Sequence, residues 1–198
     1  MLSRRLRELF TDDIWQDDMY DTSVLSALFP VTPPKRRVFI SYHHQDQAWV
    51  DLFRTTFSST YDLFADHSLD QAIDSDNLAY VYRAISENYI TGSSITIVIC
   101  GADTWRRKCV DWEIYATLDK GHALLGVTLP HNLEWRNSQY ISIVPDRLQA
   151  NIVTRYAHCV NWSLDAASLN PAMEHALALS NQNKQYKDNS APQMTRNR

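Results

Sequence analysis

The sequence predicts an α/β protein with a parallel sheet of about five strands between two layers of helices. Three observations lead there. From residue 37 onward, short β-rich runs alternate with amphipathic helical patterns. Two of the runs, "SSITIVICG" and "HALLGVTL", are apolar almost throughout, as strands covered on both faces must be. The spacing between runs fits crossover helices, which parallel strands require.

The elements follow in order. Leu2, Leu6, Leu9 and Phe10 recur at helical spacing, and Pro30, Pro33 and Pro34 make a stiff linker, so residues 1–34 read as an N-terminal helical extension. "RVFISY" is the first strand. "DQAWVDLFRTTF" is a helix with Trp49, Leu52, Phe53 and Phe57 on one face and Asp46 at its N-cap. "YDLFAD" is a short second strand. "SDNLAYVYRAISENYI" carries a stripe of Leu78, Val81, Tyr82, Ile85 and Tyr89, with Ser75 or Asp76 as cap. "SSITIVICG" is the central strand, and "WRRKCVDWEIYATLDKG" is a helix closed by Gly121 at the C′ position. "HALLGVTL" and "YAHCVNW" are the last strands. "DAASLNPAMEHALALS" closes the domain, with Pro171 near its first turn. The expected organisation is an extension over 1–34, the domain proper over 35–180, and a disordered polar tail over 181–198.

Composition removes several function classes. A net charge of −4 gives no basic field for nucleic acid. No apolar run reaches membrane-spanning length. Cys100, Cys109 and Cys159 are odd in number and unpatterned, which argues against disulfides and zinc and for a reduced, cytoplasmic setting. Four glycines, none suitably spaced, allow no phosphate-cradling loop.

About five parallel strands suit the flavodoxin-like order 2-1-3-4-5, a three-layer αβα arrangement. Its ligands bind outside the carboxyl ends of strands 1 and 3. Those ends are "SYHHQD" and "CGADTW". "HHQDQ" has no glycine or threonine to wrap a flavin phosphate, and strand 1 lacks the acidic pair of a phospho-receiver. Among the acids near this edge, Glu87 has Arg83 four residues before it, and Asp111 has Arg107 and Lys108; surface pairing explains both. Glu113 has only Cys109, Val110, Ala116 and Thr117 at helical spacing, so its carboxylate faces either solvent or a pocket.

At these residues the sequence resembles TIR domains. "RRVFISYHHQD" is similar to their first strand and loop, and "SSITIVICGADTWRRKCVDWEI" to the third strand and the helix closing in W-C-x-x-E-[LI]. The resemblance runs from Arg37 to about Leu129. It is closest to TIR-like proteins of the bacterial Thoeris anti-phage system, through Arg106, Arg107, Val110, Trp112, Glu113, Ile114 and Lys120-Gly121.

The resemblance implies an NAD+ nucleosidase or ADP-ribosyl cyclase, with Glu113 as the catalytic carboxylate. It also implies a cyclic ADP-ribose-type product sensed by a separate effector protein, and self-association through TIR–TIR contacts. NAD+ is then substrate, with no cofactor or metal. Phe39, Ser41 and Tyr42 would line the strand-1 side, Tyr42 and Trp105 would offer stacking faces, and His43 would meet the diphosphate, with Asp46 beside them. Cys109 stands where such enzymes often carry tryptophan, so the floor under the ribose differs. Residues 66–77 fall where the family has a mobile loop. The alternative is a non-catalytic TIR-like module that signals by assembly.

Overall fold

The computed structural model describes residues 34–65, 82, 83, 85, 87, 90–136 and 138–198. The chain divides into Met1–Pro34 and Lys35–Arg198, and the description below concerns the second unit. The expected N-terminal helix, the loop 66–77 and the helix start at Ser75 or Asp76 lie outside the described residues.

Five strands form one parallel sheet: β1 (Arg36–Ser41), β2 (Tyr61–Phe64), β3 (Ile95–Cys100), β4 (Ala123–Thr128) and β7 (His158–Asn161). Their spatial order, β2-β1-β3-β4-β7, is the expected flavodoxin-like order with β7 in fifth place. The order reverses between β1 and β3, so their carboxyl ends flank the crevice where ligands of such sheets bind.

The period of two in the strands sorts the core into two layers. Val38, Ile40, Ile95, Ile97, Ile99, Leu125 and Val127 face α1 (Gln47–Phe57) and α4 (Ala166–Gln182). Phe39, Val98, Cys100 and Leu124 face the other side, where α2 (Lys108–Asp119) and α3 (Asp146–Val153) pack. Every residue of β3 is buried. Its one polar side chain, Thr96, is satisfied by the Thr117 hydroxyl of α2 at 2.7 Å.

Several local expectations need correction. The buried face of α1 is Val50, Phe53 and Phe57, while Leu52 is 45% exposed. Val50, Phe53 and Phe57 join the core cluster that also holds Ile40 and Tyr42. A 3-10 turn at Thr104–Arg106 and an extended Arg107 separate β3 from α2, which begins three residues later than the pattern suggested. Its C-terminus is as expected: Gly121 has φ +72°, and Gly121 N–H and His122 N–H bond the carbonyls of Leu118 and Thr117. The reading along the chain assigned neither α3 nor the antiparallel pair β5 (Glu134–Arg136) and β6 (Gln139–Ile141).

The tail is the largest departure. Residues 183–198 lie along α2 and α3 as a hydrogen-bonded strap. Asp188 exchanges two bonds with the Asn151 side chain, at 2.7 and 3.0 Å. Met194 N–H donates to Asp111 Oδ2 at 2.8 Å, and its carbonyl accepts from Trp112 Nε1 at 2.8 Å. Asn197 Oδ1 accepts from Lys108 N–H, an amide at the start of α2 that has no intrahelical partner. A polar composition signals disorder only when its polar groups turn to water; here they complete the ends of helices.

Candidate active site

Ser41 ends β1, and Glu113 lies in the second turn of α2, the helix that packs on the same face of the sheet as Phe39. The Ser41 hydroxyl donates to Glu113 Oε2 at 2.5 Å. Both are buried, Ser41 1% and Glu113 4% exposed. Glu113 thus faces inward, at the carboxyl edge of β1. Its backbone carbonyl accepts from the Thr117 hydroxyl. Burying a carboxylate is costly, and a short hydroxyl donor offsets part of that cost.

Asp111 and Glu87 diverge. Glu87 keeps its exposed i,i+4 partner Arg83. Asp111 pairs across to α3: Arg147 meets it at 3.0 Å, with the guanidinium 1% exposed. Sequence spacing could not show that partner, because it comes from a helix the pattern did not reveal.

Phe39 is wholly buried beside Trp112, Ala116, Ile85 and Ile90, and so supports the helix that carries Glu113 from below. Tyr42 is turned toward α1, on the face opposite Ser41, and its hydroxyl donates to Gln47 Oε1 at 2.5 Å. The expectation of Tyr42 as a stacking face beside Ser41 therefore fails, for the same period-two reason that separates Ile40 from Ser41. His43 is 2% exposed and packs edge-on against His44, which is the exposed histidine of the pair. Trp105 lines a cleft of about 220 Å³ with Asp103, Asn132 and Glu134, beneath the Arg106 guanidinium, and neither Ser41 nor Glu113 lines that cleft. Cys109 is half-buried, one turn before Glu113, between two parts of the core.

Asp46 occupies the position before α1, but its side chain caps nothing. It is buried, accepts from the Thr104 hydroxyl at 3.4 Å and meets His131 Nε2 at 3.0 Å. The carboxylate rests on Gly101, where a Cβ would come within 2.1 Å of Oδ2. His131 went unnoticed in the sequence. The signal was there: it follows directly on the carboxyl end of a strand, "GVTLPH".

The residues from β1 through β5 form one unit of recognisable kind. A family model described as Thoeris protein ThsB, TIR-like domain, matches residues 39–134. The chain carries a Thoeris TIR-like domain. The matched stretch holds Ser41, Asp46, Gly101, Thr104, Glu113 and His131. It is a TIR-like module of anti-phage defence. No curated protein matches the chain. Among the described residues of this TIR-like domain, no helix is long and apolar enough to cross a membrane, and no group of three or more His, Cys, Asp or Glu side chains could hold a metal.

Proposed function

We propose that this TIR-like domain cleaves the nicotinamide–ribose bond of NAD+ and closes the remainder into a cyclic ADP-ribose-type signal. The observation that carries the reading is the Ser41–Glu113 contact, a buried carboxylate held by a hydroxyl at the topological switch point.

The chemistry asks little more. Nicotinamide is cationic in NAD+ and departs as a neutral molecule with the electrons of the glycosidic bond. No strong acid is needed to expel it. The ribose carbon gains oxocarbenium character, and a fixed carboxylate at Glu113 stabilises that charge. Ser41 holds one carboxylate oxygen, which orients the other. Attack on the ribose carbon by an adenine nitrogen gives the ring; attack by water gives the linear product. The cyclic product would pass to a separate effector, and self-association would complete the assembly.

The test is nicotinamide release from NAD+, followed by chromatography in lysates of phage-infected cells, for the native chain and Glu113→Gln. Release by the native chain alone is expected. Equal release by both sinks the assignment. Cys109, too small to wall a ribose, favours a second reading, a non-catalytic assembly module, in which neither protein releases nicotinamide while both protect cells.

A further inference from the structure

A second cleft opens on the same edge of the sheet. Its volume is about 300 Å³, and Thr128, Leu129, Pro130, Leu133, Asn161 and Trp162 line it at the carboxyl ends of β4 and β7. That size lies at the lower end for small-molecule sites. No charged side chain lines it among the described residues. A phosphate would therefore find no partner inside, whereas a neutral, flat group would.

Three features specify the group further. Trp162 is half-buried and packs edge-on against Trp49 at 5.2 Å, with Phe53 beside it, so its indole is held in place. Its main-chain N–H bonds the Thr128 carbonyl, which anchors it to the end of the sheet. Asn161 accepts from the Thr128 hydroxyl at 3.0 Å, while its amide N–H donors bond no described residue. A fixed indole for stacking and an amide edge for ring nitrogens are the chemistry that recognises adenine.

The register places the cleft. Ser41, Val98, Gly126 and Cys159 form one row across the sheet, and Asn161 stands two residues beyond it toward the carboxyl edge. Three strand spacings, ~14 Å, separate Ser41 from this end. His131 and Trp49 lie alongside, with rings 5.8 Å apart.

We infer that this cleft receives the adenine of the dinucleotide whose nicotinamide end meets Glu113. The inference rests on the NAD+ reading for its occupant. It divides the substrate between two ends of one sheet edge, with the charged diphosphate outside the uncharged cleft.

The experiment is calorimetric titration of the full chain with AMP and, separately, with nicotinamide mononucleotide. Leu133 is 57% exposed at the rim and Asn161 is exposed, so Leu133→Asp and Asn161→Ala leave the core intact. Expected is AMP binding that Asn161→Ala weakens about 5-fold and Leu133→Asp weakens at least as much, with nicotinamide mononucleotide binding unchanged. Unchanged AMP affinity in both variants, or no AMP binding by the native chain, overturns the inference. Glu113→Gln separates the two proposals. If it retains nicotinamide release while the cleft variants still lose AMP, the catalytic assignment fails and the adenine cleft stands.

Discussion

The guanidinium of Arg147 is buried against the carboxylate of Asp111, Nε to Oδ1 at 3.0 Å, two residues before Glu113. The second Asp111 oxygen takes the Met194 N–H. The pair therefore joins α2, α3 and the tail beside the candidate carboxylate. Removing one partner leaves the other charged and buried, so Arg147→Ala or Asp111→Ala is expected to cost about 3–5 kcal/mol in denaturant unfolding. Asp111→Leu combined with Arg147→Met should cost less than the sum of the single changes. Additive losses would show that the two charges do not act as a pair.

The tail is expected to stabilise α2 rather than trail from it. Truncation after Gln182 removes the Asn197 acceptor of Lys108 N–H and both Met194 bonds. It also removes the two Asp188–Asn151 bonds; at about 0.5–1.5 kcal/mol for each of the five, the loss is about 2.5–7.5 kcal/mol. Amide exchange should accelerate first at the start of α2. A truncated chain with native melting and native exchange would mean that the strap contributes nothing.

Gly101 is required by its neighbour, not by its backbone angle. A methyl group there meets the Asp46 carboxylate at 2.1–2.5 Å. Gly101→Ala is expected to destabilise by about 1–3 kcal/mol and to break the Asp46–His131 contact. Adding Asp46→Ala should recover part of the loss. If the double variant is worse than Gly101→Ala by the full cost of Asp46→Ala alone, the clash is elsewhere.

The sheet was legible in the sequence because its strands are nearly pure apolar runs, Ile95–Cys100 above all, and because each helix carries a buried face. Glu113 stood out because no cation shared its helical face. What the sequence hid depends on parity or on distant partners. Tyr42 and Ser41 are adjacent yet face opposite layers. Asp46 reads as a helix cap, but its true partner, His131, is 85 residues away. The tail's asparagines read as disorder until helix ends are present to receive them. Helix α3 has a polar stretch because Arg147 and Asn151, both buried, serve Asp111 and Asp188.

Acid is expected to weaken the fold through two half-buried histidines. Burial lowers the pKa of His158, and neighbouring His175, its ring 4.7 Å away, adds to this. Burial, then Lys120, lowers that of His122. The neutral forms are favoured in the folded state, so the unfolded chain binds protons first. Stability is flat above the unfolded value of about 6.5 and falls as pH drops from there through the lowered folded values. Melting temperature should decline from about pH 6.5 downward, and His158→Gln should flatten the decline. Identical slopes for variant and native protein would remove His158 from the account.

Ser41 supplies the short hydroxyl donor to Glu113, and its loss should change the pH dependence of the reaction more than its ceiling. Hydrogen bonding to the ionised form holds a carboxyl pKa down, and burial without that bond drives it up. In Ser41→Ala the buried Glu113 keeps its proton to higher pH. The acidic limb of nicotinamide release should therefore move to higher pH, because a charge-assisted bond that favours the ionised form is lost. On that limb the rate should fall below the native rate and recover toward the native value at higher pH. Ser41→Thr, which restores a hydroxyl, should return the limb most of the way. A loss of rate equal at every pH would mean that Ser41 only packs against Glu113 and does not set its charge.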